Sequence, residues 1–292
     1  MKSNIISSLI LGSVAMLAVS SAQAFTEGFT VRDYTPPPNS ANQGTATKAA
    51  EAAWLASMFV GGNTDINIVP GSASSSASYM YMSGVTSDGR FVLSNGGFLG
   101  YAPGRYGSTG VESTFKTGGN AALAALIGVP TNQTFDQNVL TFQFTVNDPS
   151  LDTITTSFIF ASDEFGKTNN NDVFAFWVDG VNYALLPDGS VVSVKNIGSN
   201  WVDGKDHGYY GRTEEMTITA LLDPTLTVHT ISIGIADAAN AAAGISTVFL
   251  GSFAVTSSNP TIPAIPEPET WAMMLAGLGL VGVTAKRRRR QG

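Results

Sequence analysis

Side chains able to do chemistry crowd into one stretch of the chain, Ser157 to Gly180, which reads SFIFASDEFGKTNNNDVFAFWVDG. Asp163 and Glu164 stand side by side, Asn169 and Asn171 lie in the polar loop Lys167 to Asn171, Asp172 opens the strand after it, and Asp237 lies in a later strand-like run. All are oxygen donors, and hard cations take carboxylate, amide and carbonyl oxygens. The calcium ligands this implies are Asp163, Glu164, Asn171, Asp172 and Asp237, with Glu164 and Asp172 foremost. The spacing is not that of an EF-hand, because no D-x-[DN]-x-[DN]-G run is closed by a glutamate. Asn and Asp also serve as turn formers and strand caps, so the same residues have a purely structural reading. A glycosidase pair is the other chemistry open to two carboxylates. Adjacent strand residues point to opposite faces, so one of Asp163 and Glu164 would need Asp172 or Asp237 brought to about 5–9 Å.

A second acidic stretch, Asp203 to Gly208, is flanked by Trp201, Tyr209 and Tyr210. Loop aromatics can stack on sugar rings, so Trp201 and Tyr209 are the candidate glycan contacts. Their alternative is to cover the edge of a sheet. His207 and His229 are too few and too far apart to suggest a zinc site. The chain has no G-x-S-x-G elbow, phosphate-binding loop or H-E-x-x-H pair. Gly277, Gly279 and Gly282 match the dinucleotide spacing, but no strand precedes them and no acid follows. No catalytic residue is expected, and no enzyme.

The elements that must position these residues are mainly strands. Val139–Val146 alternates with period two, and runs follow at 154–160, 173–178, 181–186, 191–194, 216–221, 228–235 and 248–255. Asp179-Gly180, Asp188-Gly189 and Asp223-Pro224 supply turns between them. Many short strands with close turns predict an antiparallel sandwich or jelly roll. One or two short helices are expected beside it, over 46–60 and 120–127, the first stopped by Gly61-Gly62. Earlier strands are expected at Ile66–Ile68, Tyr79–Met82 and Phe91–Ser94. No repeat period points to a solenoid or propeller.

The stretch Phe160-Ala-Ser-Asp-Glu-Phe165 followed by Asn171-Asp-Val-Phe-Ala-Phe-Trp177 resembles the signature of the choice-of-anchor L domain. Ile235-Ala236-Asp237 and Val248-Phe249-Leu250 are similar to that family's closing strands, and Phe91–Ser94 to its first half. The resemblance extends over most of residues 46–256. It implies an exported bacterial domain used with differing anchors, and no catalytic activity.

Both ends of the chain read as addresses. Lys2, the apolar run Ile5 to Val19 and Ala22-Gln23-Ala24 form a secretory signal helix, with cleavage after Ala24 by signal peptidase. Residues 25–45 are a Pro-rich entry arm and 257–265 a Pro/Ser linker. At the C-terminus, Pro266-Glu267-Pro268 precedes an uncharged run from Trp271 to Ala285 and then the cations Lys286, Arg287, Arg288, Arg289 and Arg290. As a helix the run spans roughly 22 Å at about 1.5 Å per residue, short for a membrane crossing. Trp271 can extend it at one interface, and the basic side chains at the other. The cations predict a C-terminus facing the cytoplasm. Residues 266–290 together resemble the PEP-CTERM sorting signal of Gram-negative bacteria. That resemblance implies recognition and cleavage by an exosortase, in a producer of extracellular polysaccharide.

The whole chain carries a net charge of −7. Without Lys2, the five tail cations, Glu267 and Glu269, nine basic and twenty acidic residues remain, near −11. Such a body repels nucleic acid and anionic lipid. There are no cysteines, so neither disulfides nor thiolate sites are available. The sequence therefore predicts an exported surface or matrix protein, structural or adhesive, in a polysaccharide-rich envelope. Carbohydrate binding is the alternative, and an envelope glycan hydrolase a third reading.

Overall fold

The computed structural model describes residues 45–76, 83–86, 89–95, 118–164, 166, 170–203, 209–238, 244–251 and 253–258. In chain order its elements are α1 (Thr45–Val60), β1 (Ile66–Ile68), β2 (Ser74–Ser75), β3 (Ser83–Val85), β4 (Phe91–Ser94), α2 (Ala121–Leu126), β5 (Thr134–Val146), β6 (Thr153–Ser162), β7 (Val173–Val178), β8 (Val181–Asn182), α3 (Val194–Ile197), β9 (Trp201–Asp203), β10 (Gly211–Thr213), β11 (Met216–Leu221), β12 (His229–Ala238), β13 (Ser246–Leu250) and β14 (Ala254–Thr256). The signal helix, the entry arm up to residue 44, the expected strand at Tyr79–Met82, most of the linker and the whole C-terminal tail lie outside the described residues. Among the described residues no helix is long and apolar enough to cross a membrane.

The chain forms two antiparallel sheets. One has the strand order β1-β5-β12-β7-β8, with β2 also on β5. The other runs β3-β4-β13-β6-β10-β9, with β11 and β14 also on β6. The fold is thus mainly β and antiparallel with a few short helices, as the alternation of the strands requires. The sheets face one another across a single apolar layer. Phe142, Phe144, Phe174, Phe176 and Ile233 from the first meet Phe158, Phe160, Leu93 and Val248 from the second, all buried. The rings of Phe158 and Phe174 are 5.4 Å apart across it. Each such side chain contributes about 1.5–3 kcal/mol by leaving water.

Helix α1 buries Ala52, Leu55, Ala56, Phe59 and Val60, one face at helical spacing. Phe59 reaches the core, with its ring 5.5 Å from Phe91, 6.3 Å from Phe142 and 5.2 Å from Phe253. Gly61 and Gly62, both at positive φ, end the helix. Helix α2 is capped by Asn120, whose side chain accepts the Leu123 N–H at 3.0 Å. It lays Leu123 on the outer face of the first sheet, against Val173, Ala175 and Ala236.

Three expected strands come out differently. The run 181–186 keeps only the two residues of β8, because the Asn182 side chain accepts the Phe176 and Ala184 N–H groups and turns the chain. Residues 191–194 make isolated bridges and lead into α3. The run 248–255 divides at Gly251, whose backbone passes so close to Ser157 that any Cβ there would collide with the Ser157 hydroxyl. β13 and β14 then pair with successive parts of β6. Strands β9 and β10, along the edge beyond β6, had no clear periodic signal.

Candidate metal centre

At one end of the sandwich the inward-facing rows change from apolar to polar. On β12, Ile231, Ile233 and Ile235 point into the core, and Asp237 takes the next inward position. Phe176 and Phe174 of β7 are followed by Asp172, and Phe158 and Phe160 of β6 by Ser162 and Glu164. On β5 the row Phe142, Leu140 ends in Asn138 and Asp136. Beyond Leu93 of β4 stands Asn95. Two residues apart is one face of a strand, so the core rows themselves carry these groups inward.

A bulge completes the arrangement. Between Ile235 and Asp237 the pairing of β12 with β5 jumps from Asn138 to Phe135, leaving an extra residue on β5. Asp136 absorbs it at φ 48°. Positive φ is uncommon for a residue with a Cβ, and Asp is among the residues that tolerate it. Bulges of this kind re-aim side chains at strand ends, and Asp136 is buried beside the cluster.

Glu164, Asp172 and Asp237 meet there. Each offers a carboxylate oxygen, and the three oxygens lie within 4.8 Å of one another. None of the three residues is more than 1% exposed. Asp172 is held by Asn95, whose Nδ2 donates to Oδ2 at 2.6 Å. The Asn95 amide cannot reverse, because its Oδ1 accepts the Ser246 N–H at 2.8 Å. That pair joins the second sheet to the first. Ala238 N donates to the other Asp172 oxygen at 3.4 Å. Glu164 accepts from the Asn170 amide, and its N–H donates to Ser162 Oγ at 2.9 Å. Gly244 leaves room for its carboxylate: a Cβ at 244 would stand 2.5 Å from Glu164 Oε1 and 2.6 Å from Cγ.

Asp237 differs from its neighbours. Neither of its side-chain oxygens accepts a well-formed hydrogen bond; the Ala238 N–H, which donates to Asp172, acts on Asp237 only weakly, against its protonation. Burial first, then the charge of Asp172, a hydrogen bond to Asp172 and the charge of Asp136 push its carboxyl up to about 10. Two carboxylates can share a hydrogen bond only when one holds a proton. Asp237 thus faces Asp172 as an acid, or both face a cation as carboxylates.

The other candidates are placed elsewhere. Asp163 lies on the opposite side from Glu164, near Tyr209, where its charge helps raise the phenol. Asn171 is turned away from the cluster: its Oδ1 accepts the Lys195 N–H at 3.1 Å, at the start of α3. It therefore leaves the ligand set, and Asn169 lies outside the described residues. Tyr209 cannot be a glycan contact as expected, since it is fully buried. Its hydroxyl is 2.6 Å from Thr247 Oγ1, its ring packs on Phe249, and burial is the main cause of its raised pKa. Trp201 is half-buried and packs beside Phe160. Asn95, Asp136 and Asn170 were not anticipated. Asn95 falls just past the expected strand Phe91–Ser94, and only the parity of its position against Leu93 and Phe91 marks it as inward.

His229 is buried in a separate pair at the other end, its Nδ1 2.7 Å from Asp179 Oδ2. Arg90 and Glu215 form a further pair at 2.9 Å. Both are structural ties.

A β-sandwich whose sheets are joined at one end by inward carboxylates is the class this geometry defines. The family model of the choice-of-anchor L domain matches residues 63–254, and that of the PEP-CTERM protein-sorting motif matches residues 264–290. The chain belongs to the choice-of-anchor L domain family, and its C-terminal segment marks it for exosortase-dependent export to the cell envelope. Helix α1 precedes the matched region yet supplies Phe59 to its core. No curated protein matches the chain. A solved structure of a carbohydrate-binding module, TmCBM27, described for specific mannan recognition, matches over 68% of this chain and 87% of its own. At 10% identity and a TM-score of 0.26 that likeness carries no argument about fold or ligand.

Proposed function

We infer that this chain is a non-catalytic surface or matrix module, exported by way of its signal peptide and sorted by an exosortase at Pro266-Glu267-Pro268. Its role is structural or adhesive, in a polysaccharide-rich envelope. The observation that carries the reading is the union, in one chain, of the choice-of-anchor L domain with a PEP-CTERM motif immediately after it. The burial of the acids adds support. A glycosidase needs two carboxylates flanking a sugar, whereas Glu164, Asp172 and Asp237 are closed off from solvent. On this reading the uncharged run 271–285 serves as a transient membrane anchor, with the cations Lys286 to Arg290 keeping the C-terminus inside.

The test is cell fractionation of the wild type and of a variant with Pro266, Glu267 and Pro268 each replaced by Ala. The wild-type chain should reach the surface or medium without its tail. The variant should stay in the inner membrane with the tail intact. Identical distribution of the two would defeat the sorting assignment. Hydrolysis of envelope glycan by the purified wild type, lost in Glu164→Gln, would defeat the non-catalytic one.

A further inference from the structure

We propose that Glu164, Asp172 and Asp237 bind one calcium ion, which locks the two sheets together at the acidic end of the sandwich. This goes beyond the functional reading above and does not depend on it. Two oxygens bound to one calcium at about 2.3–2.6 Å can stand up to about 5 Å apart. Mutual separations within 4.8 Å therefore suit a single shared ion.

The second observation is Asp237 itself. It occupies a core position in line with Ile233 and Ile235, at 1% exposure. Neither of its oxygens accepts a well-formed hydrogen bond. No basic side chain pairs with it or with Asp172 among the described residues. Buried polar atoms are nearly always hydrogen-bonded, and a buried charge is paired or bound to a metal. A buried carboxylate aimed at two others, with no basic partner and no well-formed hydrogen bond from an N–H or hydroxyl group, is a position suited to a cation. The neighbouring groups are already committed. Asn95 is spent on Asp172 and Ser246, and Asn170 on Glu164. They hold Glu164 and Asp172 and donate nothing to the third carboxylate.

The donor set chooses the ion. It is all oxygen, with no cysteine in the chain, and the only described histidine, His229, is paired with Asp179 at the opposite end. Thiolate and imidazole metals are disfavoured. Magnesium demands near-octahedral geometry and keeps several waters, whereas calcium accepts irregular carboxylate cages. These side chains sit at the end of β6, before β7 and at the end of β12, so an ion here fixes three chain segments and both sheets at once. In a chain without disulfides it would supply the cross-link.

The experiment uses the full chain purified in detergent and stripped of metal with a chelator. Calcium is titrated by calorimetry, and melting is followed with calcium, magnesium or chelator. Wild type should bind one calcium per chain with Kd of about 10⁻⁴–10⁻³ M, the range of extracellular modules, and should melt higher in calcium than in chelator. Asp237→Asn should weaken binding at least tenfold while keeping its circular dichroism spectrum, since the amide matches the protonated acid in shape. Glu164→Gln supplies the same comparison if the first variant folds poorly. No heat and no melting shift in wild type at about 10 mM calcium would overturn the proposal. So would unchanged binding in the folded variant, and an equal response to magnesium would overturn the choice of calcium.

Discussion

In metal-free buffer, stability should fall as pH rises, and Asp237 should be the main cause. Its carboxyl is raised to about 10 in the folded chain by burial, by Asp172 and by Asp136, against about 3.9 when unfolded. Between those values the native state holds a proton that the unfolded state has released. Stability therefore declines with pH, by at most about 1.4 kcal/mol per unit for one proton. For a domain of this size each kcal/mol moves Tm by about 2–4 °C, so the slope is at most about 3–6 °C per pH unit. The perturbation is Asp237→Asn, which keeps a donor toward Asp172 and cannot ionise. The assay is thermal melting from pH 5 to pH 9 in chelator, wild type beside variant. Wild type should lose Tm steadily, and the variant should lose clearly less and be the more stable at pH 9. With saturating calcium the order should reverse, because the ion takes the place of the proton and binds better as pH rises. Parallel pH profiles for the two chains in chelator would show that Asp237 does not carry the pH dependence.

Gly244→Ala should cost about 1–3 kcal/mol by overpacking, read by denaturant melting, and should weaken calcium binding, because its Cβ would enter the space of the Glu164 carboxylate. Phe59→Ala should cost about 3–5 kcal/mol, showing that α1 belongs to the cooperative unit although it precedes the family match. Tyr209→Phe should cost about 0.5–1.5 kcal/mol through loss of its bond to Thr247. It should leave retention on purified exopolysaccharide unchanged, because the ring is not at the surface.

Most of the fold was legible because inward rows such as Leu140-Phe142-Phe144 and Phe174-Phe176-Val178 alternate with period two. The short edge strands were not, because Trp201–Asp203 and Gly211–Thr213 are too brief to show a period. Nor was the break at Gly251, which is imposed by a tertiary approach to Ser157. The site was legible in part. Glu164, Asp172 and Asp237 could be named as oxygen donors, and their parity with Phe160, Phe174 and Ile235 places them on the core face. The company of Asn95 depended on pairing between β4 and β13 across a long sequence separation. Asp136 depended on a bulge that local pattern does not announce. Asn171 was misassigned because its neighbour Asp172, one position on, takes the inward face. Tyr209 was misassigned because an aromatic beside a polar loop looks exposed until Thr247 and Phe249 enclose it.

Delivery of this domain by cutting at both ends, as proposed above, is read out by the intact mass of the mature protein. The expected chain starts at Phe25, ends between Pro266 and Thr270, and is recovered from the surface or medium. A mature chain that still carries Trp271 to Arg290 would contradict it.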